Sequence, residues 1–234
     1  MTKRVLAVIP ARGGSKDLPR KNILELQGIP LIAWSIKASL NSHYITKTIV
    51  STDDEEISEI AEHNGAFVIK RPKNLSDDTA SSVSVARHAI EYLKAHNEVF
   101  DDLVFLQPTS PLRTSEDIDN AYQSFMNSDA CSLISVVEID NKCLKSFIKQ
   151  PQEDYIKAIH DNKYAFTRRQ DLPLTYLSNG AIYIVTVPEL LKNNNFYAEK
   201  TIEYVMDELT SIDIDSQEDL AYAESILKSK DAGK

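Results

Sequence analysis

Short apolar, β-branched runs alternate along this chain with segments of helical period, the pattern of parallel strands joined by helical crossovers. Strands are predicted at RVLAVIP, KTIVST, AFVIK, DDLVFLQP, SLISVVEI and GAIYIVTV. Helices are predicted at PLIAWSIKASL, with Pro30 near its first turn, at DEEISEIAEHN ending before Gly65, at ASSVSVARHAIEYLKAH and at SEDIDNAYQSFMN. A last helix starts near Ser216 with EDLAYAESILKS. The first strands are near-continuous hydrophobic runs, as expected of strands covered on both faces. From about Asp140 to Ser178 the alternation stops, and charged residues, Pro151 and Pro173 appear without a long helix. So long an irregular stretch inside a compact domain reads as an insertion or arm between two core strands. The expected organisation is an α/β core of residues 1–139 and 179–234, with an arm at 140–178.

At 234 residues, with 42% hydrophobic and 26% charged positions and only 6 Gly and 9 Pro, the chain is a folded protein rather than a collagen-like, low-complexity or disordered one. Cys131 and Cys143 have no CxxC spacing and no neighbouring His pair, so neither a disulfide framework nor a zinc site is expected. The run Val5 to Pro10 is too short for a signal-peptide core or a membrane span, and a cytoplasmic protein with reduced thiols follows as the expectation. The net charge of -9 argues against nucleic-acid and anionic-membrane partners. Residues 1–21 nevertheless hold 6 of the 26 Lys and Arg and one acid, Asp17, for a net +5 against -14 on the remainder. That local field suits an anionic small molecule.

The positive segment coincides with VIPARGGSKDLPRKN, residues 8–22, directly after the first strand. A loop at the carboxyl end of a parallel strand is where open α/β sheets bind ligands, and Gly13 and Gly14 let backbone N–H groups approach an anion. Arg12, Lys16, Arg20 and Lys21 add four cations, and phosphate binding is the favoured reading over a solvated basic turn. The segment is neither a P-loop nor a GxGxxG fingerprint. In SIDIDSQEDL, residues 211–220, a strand-like Ile-Asp-Ile-Asp run would aim Asp213 and Asp215 the same way, close enough to share a hard cation such as Mg2+. The alternative is that Asp215 or Ser216 caps the last helix. QPTSPLR, residues 107–113, opens onto the same sheet edge and offers a rigid polar loop, or simply a capping turn at Thr114 and Ser115. STDD, 51–54, most simply caps the second helix, while Arg71 and the hydroxyls Ser81 and Ser82 are within reach of a nucleotide. Trp34 reads as core, Cys131 as a buried small hydrophobe, and His88 and His160 as structural or solvated.

Taken together, IPARGGSK, LPRKN, STDD, SDDTASS, LQPTSPLR, RRQDLP, NGAIY and SIDIDSQEDL stand in the order seen in acylneuraminate cytidylyltransferases, which this chain resembles over most of its length. The resemblance implies a Rossmann-like, nucleotide-diphospho-sugar transferase-like sheet with helices on both faces, CTP and Mg2+ as requirements, and a homodimer in which 140–178 is a dimerisation arm. It places Arg12 and Lys21 on the triphosphate with Gly13, Gly14 and Ser15 around it, and Asn22, Arg71 and Ser82 at the cytidine. Gln107, Lys145, Arg169 and Tyr183 resemble the sugar-side positions, with Lys145 and Arg169 acting in cis or in trans, and Asp213 and Asp215 resemble the metal carboxylates. Where some members carry an Arg two residues before the Asn of NGAIY, this sequence has Leu177. The activity implied is transfer of CMP from CTP to the anomeric 2-hydroxyl of a nine-carbon 2-keto sugar acid, N-acetylneuraminate, releasing pyrophosphate for surface-glycan synthesis. Arg12, Lys21 and Asp215 would be the catalytic residues. Legionaminate, pseudaminate or Kdo as the acid is the alternative within this chemistry, and a catalytically inactive nucleotide-binding protein is the alternative outside it.

Overall fold

The computed structural model describes residues 3–15, 18–77 and 80–232. Lys16, one of the four expected cations, lies outside the described residues, as do Asp17 and the Asp78 and Thr79 of SDDTASS. The chain divides into two compact units, Met1–Val136 with Ser178–Lys234, and Val137–Leu177.

The first unit is built on a seven-stranded sheet. Its strands are β1 (Val5–Pro10), β2 (Lys47–Thr52), β3 (Phe67–Lys70), β4 (Asp102–Phe105), β5 (Ser132–Glu138), β6 (Tyr176–Thr186) and β7 (Thr201–Val205). The spatial order is β7-β5-β6-β4-β1-β2-β3. β1 runs parallel to both β2 and β4, β2 to β3, and β5 to β7, whereas β6 is antiparallel to β4. The mostly parallel α/β sheet with covered faces expected from the pattern is what the chain forms. Side chains of β1 alternate between two cores: Val5, Ala7 and Ile9 enter one, and Leu6 and Val8 the other. The first core is closed by α1 (Leu31–Leu40), α2 (Glu55–His63) and α4 (Ser115–Met126), and the second by α3 (Ser82–Ala95) and α5 (Val187–Asn193). The last helix, α6 (Gln217–Ala232), lays Leu220, Ala223 and Ile226 on Leu112 and Ile214, pinning two loops at one edge of the sheet. Because β2 and β3 lie on one side of β1 and β4 on the other, strand order reverses at β1, and a crevice opens beyond the carboxyl ends of β1 and β4.

Local signals explain the helix starts. Asp54 accepts the Ile57 N–H at the head of α2, Ser81 accepts the Ser84 N–H at α3, and Thr114 and Asp117 form a capping box at α4. Four features depart from the pattern-based reading. β7 and the short α5 were not expected, since TIEYV and VPELLKN are too brief to show a period. β6 begins at Tyr176, because Gly180, at φ 75, sits inside the strand rather than starting it. Residues 211–215 form no strand. Cys131 and Trp34 are half-buried rather than core, the Trp34 indole N–H donating to the Leu26 carbonyl at 3.3 Å. Among the described residues no helix is long and apolar enough to cross a membrane.

The second unit is small. Phe147–Ile148 pairs with Lys157–Ala158, 3-10 turns span Asn141–Lys145, Asn162–Phe166 and Arg169–Asp171, and Leu144 and Leu172 are buried. Tyr155 and Phe166 are 81% and 91% exposed.

At the end of β4 away from the crevice, the buried Asp102 carboxylate accepts from the Tyr122 hydroxyl at 2.7 Å and pairs with Lys3 at 2.8 Å. Burial, together with that carboxylate, pushes the Tyr122 pKa above its ordinary value. Tyr122→Phe strips a donor from a buried charge, and urea unfolding is expected to show a loss of about 1–3 kcal/mol with binding at the crevice unchanged.

Candidate functional site

The loop after β1 is shaped by carboxylates on its neighbour. The Ala11 N–H continues the ladder to the Ser51 carbonyl at 3.0 Å, and the Gly13 N–H donates to Asp53 Oδ1 at 3.1 Å. A Cβ on Gly13 would lie 2.5 Å from Asp54 Oδ2, so no side chain fits there, whereas Gly14 faces open space. Arg20, at φ 57, forms ion pairs with Asp54 at 2.5 Å and with Glu56. It is therefore a strut of the loop rather than one of four cations aimed at a ligand. Lys21 opens the 3-10 turn Lys21–Ile23, and its largely buried ammonium lies 2.6 Å from Asp215 Oδ1. The Asn22 amide donates to the Arg12 carbonyl at 3.0 Å and closes the loop on itself.

Arg12, Ser15, Lys21, Asn22, Arg71, Ser82 and Gln107 all line one cleft of about 270 Å³ at this edge. Seven sequence-predicted residues from four separate segments thus converge. Arg71 is buried, donating to the Ser51 carbonyl at 2.6 Å and to the Leu75 carbonyl at 3.5 Å. Burial and the neighbouring Arg12 guanidinium lower its pKa to about 10, so it stays charged and braces the cleft wall. His88 is half-buried one element away, and burial followed by Arg71 lowers its pKa, leaving a neutral imidazole. His160 is exposed.

The loops 107–113 and 211–215 are bound together. The Ile214 N–H donates to the Thr109 carbonyl at 2.8 Å, which brings the Thr109 hydroxyl near the Asp213 carboxylate. Asn179, not singled out from sequence, is buried and ties Ser135 to Ser211, accepting from the first at 2.6 Å and donating to the second at 2.9 Å. Beside it, a Cβ on Gly180 would sit 2.8 Å from Gln107 Oε1 and 3.9 Å from Asp213 Oδ2. A glycine inside a strand pattern is the sequence signal for such close approach. Ser216 caps α6 reciprocally with Asp219, so Asp215 is not the cap and is left to face Lys21. Desolvation, reinforced by repulsion from Asp215, holds the Asp213 carboxyl above its usual range. Among the described residues no group of three or more His, Cys, Asp or Glu forms a complete metal cage. The pair Asp213 and Asp215 offers hard oxygens with mutual repulsion to relieve, which fits a Mg2+ that takes its other ligands from phosphate and water.

Tyr183 sits on β6 beside Phe105, its ring against Phe196 and its hydroxyl 3.1 Å from Ser178 Oγ. Lys145 and Arg169 belong to the second unit, where Arg169 lines a cavity of about 420 Å³ with its guanidinium 3.6 Å from Asp140.

The sequence model described as Cytidylyltransferase matches residues 6–232. The chain is 37% identical to the pseudaminic acid cytidylyltransferase of Campylobacter jejuni over 95% of this chain and 96% of that protein. It is 35% identical to the N-acylneuraminate cytidylyltransferase of Escherichia coli O18:K1:H7 over the whole chain and 54% of that protein. With the CMP-N,N'-diacetyllegionaminic acid synthase of Legionella pneumophila it shares 34% identity over 96% and 97% of the two chains. The structure of a CMP:2-keto-3-deoxy-manno-octonic acid synthetase complexed with CTP superposes with a TM-score of 0.69 at 18% identity, covering 97% of this chain and 99% of that one, and so shares the fold.

The Asp54 carboxyl is held below the usual range, first by its hydrogen bond from Arg20. A lowered folded value means stability that is complete above the ordinary carboxylate range and lost as pH falls through the lowered value. Asp54→Ala should lose about 1–2 kcal/mol in thermal unfolding at neutral pH. Asp54→Asn, which keeps the cap but not the charge, should differ from the parent at neutral pH and converge with it on acidification.

Proposed function

The chain belongs to the cytidylyltransferase family, and from that premise we propose that it transfers CMP from CTP to the anomeric 2-hydroxyl of a nonulosonic acid, releasing pyrophosphate. The observation that carries the proposal is the convergence of Arg12, Ser15, Lys21, Ser82 and Gln107 on one cleft, with Asp215 paired to the cleft's Lys21 and Asp213 beside its Thr109. The cleft geometry supports a division of labour. Arg12 and Lys21 take the triphosphate and neutralise charge as it develops on the leaving pyrophosphate, while Arg71 and Asn22 keep the wall and loop in place for the cytidine. Gln107, wedged against Gly180, presents its amide toward the acceptor sugar. Mg2+ held by Asp213 and Asp215 would supply further charge neutralisation on the phosphates. Lys21 exchanges its Asp215 partner for phosphate when the nucleotide binds.

For the acid, N-acetylneuraminate and pseudaminate are the two candidates that lead. Identity and near-complete mutual coverage with the pseudaminic acid relative support pseudaminate. Pyrophosphate release by the purified protein with CTP and Mg2+ on a panel of pseudaminate, N-acetylneuraminate, legionaminate and Kdo tests both levels. Release with none of the acids overturns the activity, and release with N-acetylneuraminate alone overturns pseudaminate. Asp215→Ala is expected to lower kcat roughly a hundredfold at saturating Mg2+, and a near-normal kcat would remove Asp215 from the metal site.

A second copy of the chain is proposed to cover the apolar surface of the second unit, since Tyr155, Ile156, Phe166 and Leu174 are each more than half exposed. Phe166→Asp should shift a dimer toward monomer in light scattering, and a parent protein that is already monomeric rules the arm out as a dimer contact.

A further inference from the structure

Arg113 closes the QPTSPLR segment and is the largest fully buried side chain among the described residues, at 2% exposure. Burial lowers its pKa to about 10, partly opposed by Asp117, so it remains a cation at neutral pH. Only Nη2 has a partner, donating to Ser35 Oγ at 2.6 Å; among the described residues Nε and Nη1 have none, nor has the adjacent Ser110 Oγ. A buried guanidinium with unmet donors does not strengthen a core, where an apolar side chain of similar volume is often neutral or stabilising. Its presence calls for another explanation, and the hydrogen bonds supply one.

A guanidinium can only donate. Ser35 must therefore accept from Arg113, and its single hydroxyl proton is forced toward the Gln107 carbonyl, 3.3 Å away. The backbone from Gln107 to Arg113 folds over this relay, with the Ser110 N–H on the Gln107 carbonyl and the Arg113 N–H on the Ser110 carbonyl, each at 3.4 Å. The same loop carries Thr109, whose carbonyl holds the Ile214 N–H beside Asp213, and the Gln107 side chain, which abuts Gly180. We propose that Arg113 is a positioning residue that sets the Gln107–Thr109 loop through the Ser35 relay, and so governs acceptor-sugar binding; this rests on the cytidylyltransferase reading for the sugar, though not for the loop.

The test uses Arg113→Met, Arg113→Lys and Ser35→Ala in the full chain. The proposal expects Arg113→Met to melt at the same temperature as the parent or higher. Amide hydrogen exchange should accelerate within 107–114 and at Ile214 while the strands keep their protection. In pyrophosphate release, KM for the acid should rise roughly tenfold with KM for CTP within about twofold. Arg113→Lys should restore part of this, and Ser35→Ala should reproduce it in weaker form without disturbing the cation. Earlier melting with exchange rising throughout the sheet, equal rises in both KM values, or unchanged exchange in 107–114 would each overturn the assignment. Exchange is read without substrate, so a parent protein that releases no pyrophosphate defeats the activity while exchange still decides on Arg113.

Discussion

Leu6 and Val8 pack into one core while Val5, Ala7 and Ile9 pack into the other, so β1 is held on both faces and can end only where both layers end. At that edge strand order reverses, and among the described residues no neighbouring element fills the space beyond Pro10. The cleft follows from this constraint. Ser51 serves both sides of it, receiving the Ala11 N–H from one loop and the Arg71 guanidinium from another. α6 finishes the edge by packing on Leu112 and Ile214, which sets the polar loop after β4 against the carboxylate loop before α6.

The electrostatics of the site are a balance within that geometry. The Arg12 guanidinium stands close enough to Arg71 to help lower its pKa, and Lys21 reaches across to Asp215. Asp213 is partly desolvated and repelled by Asp215, so the site carries unrelieved charge of both signs. Arg20, which sequence alone counts among the ligand-facing cations, is spent with Asp54 on holding the loop in shape.

Much of the site was legible because its chemistry is local in sequence. Gly13, Gly14, Arg12 and Lys21 fall in a single turn after a strand whose apolar run is unmistakable, and the caps at Asp54, Ser81 and Thr114 follow from short-range rules. Ser216 and Asp215 were ambiguous for the same reason: one local rule fits either residue, and the hydrogen bonds to Asp219 choose Ser216. Asn179, Gly180 and Arg113 carried little local signal, since each acts on residues far away in the chain. Asp213 and Asp215 read from sequence as a strand pair, but residues 211–215 form no strand. The segment is held instead by the buried Ile214, whose N–H bonds the Thr109 carbonyl.

By itself the sequence determined the alternation of strands and helices, the covered faces of the sheet, the basic glycine turn at the end of β1 and the family to which these motifs belong, because hydrophobic period, turn residues and local charge act within a few positions of one another. Only the tertiary structure decided which charges face the cleft and which brace it. It turned Arg20 onto Asp54 and Lys21 onto Asp215, wedged Gln107 against Gly180 and buried Arg113 beneath its own loop. Those outcomes depend on partners between twenty and two hundred positions away, brought together by the packing of two cores around one strand.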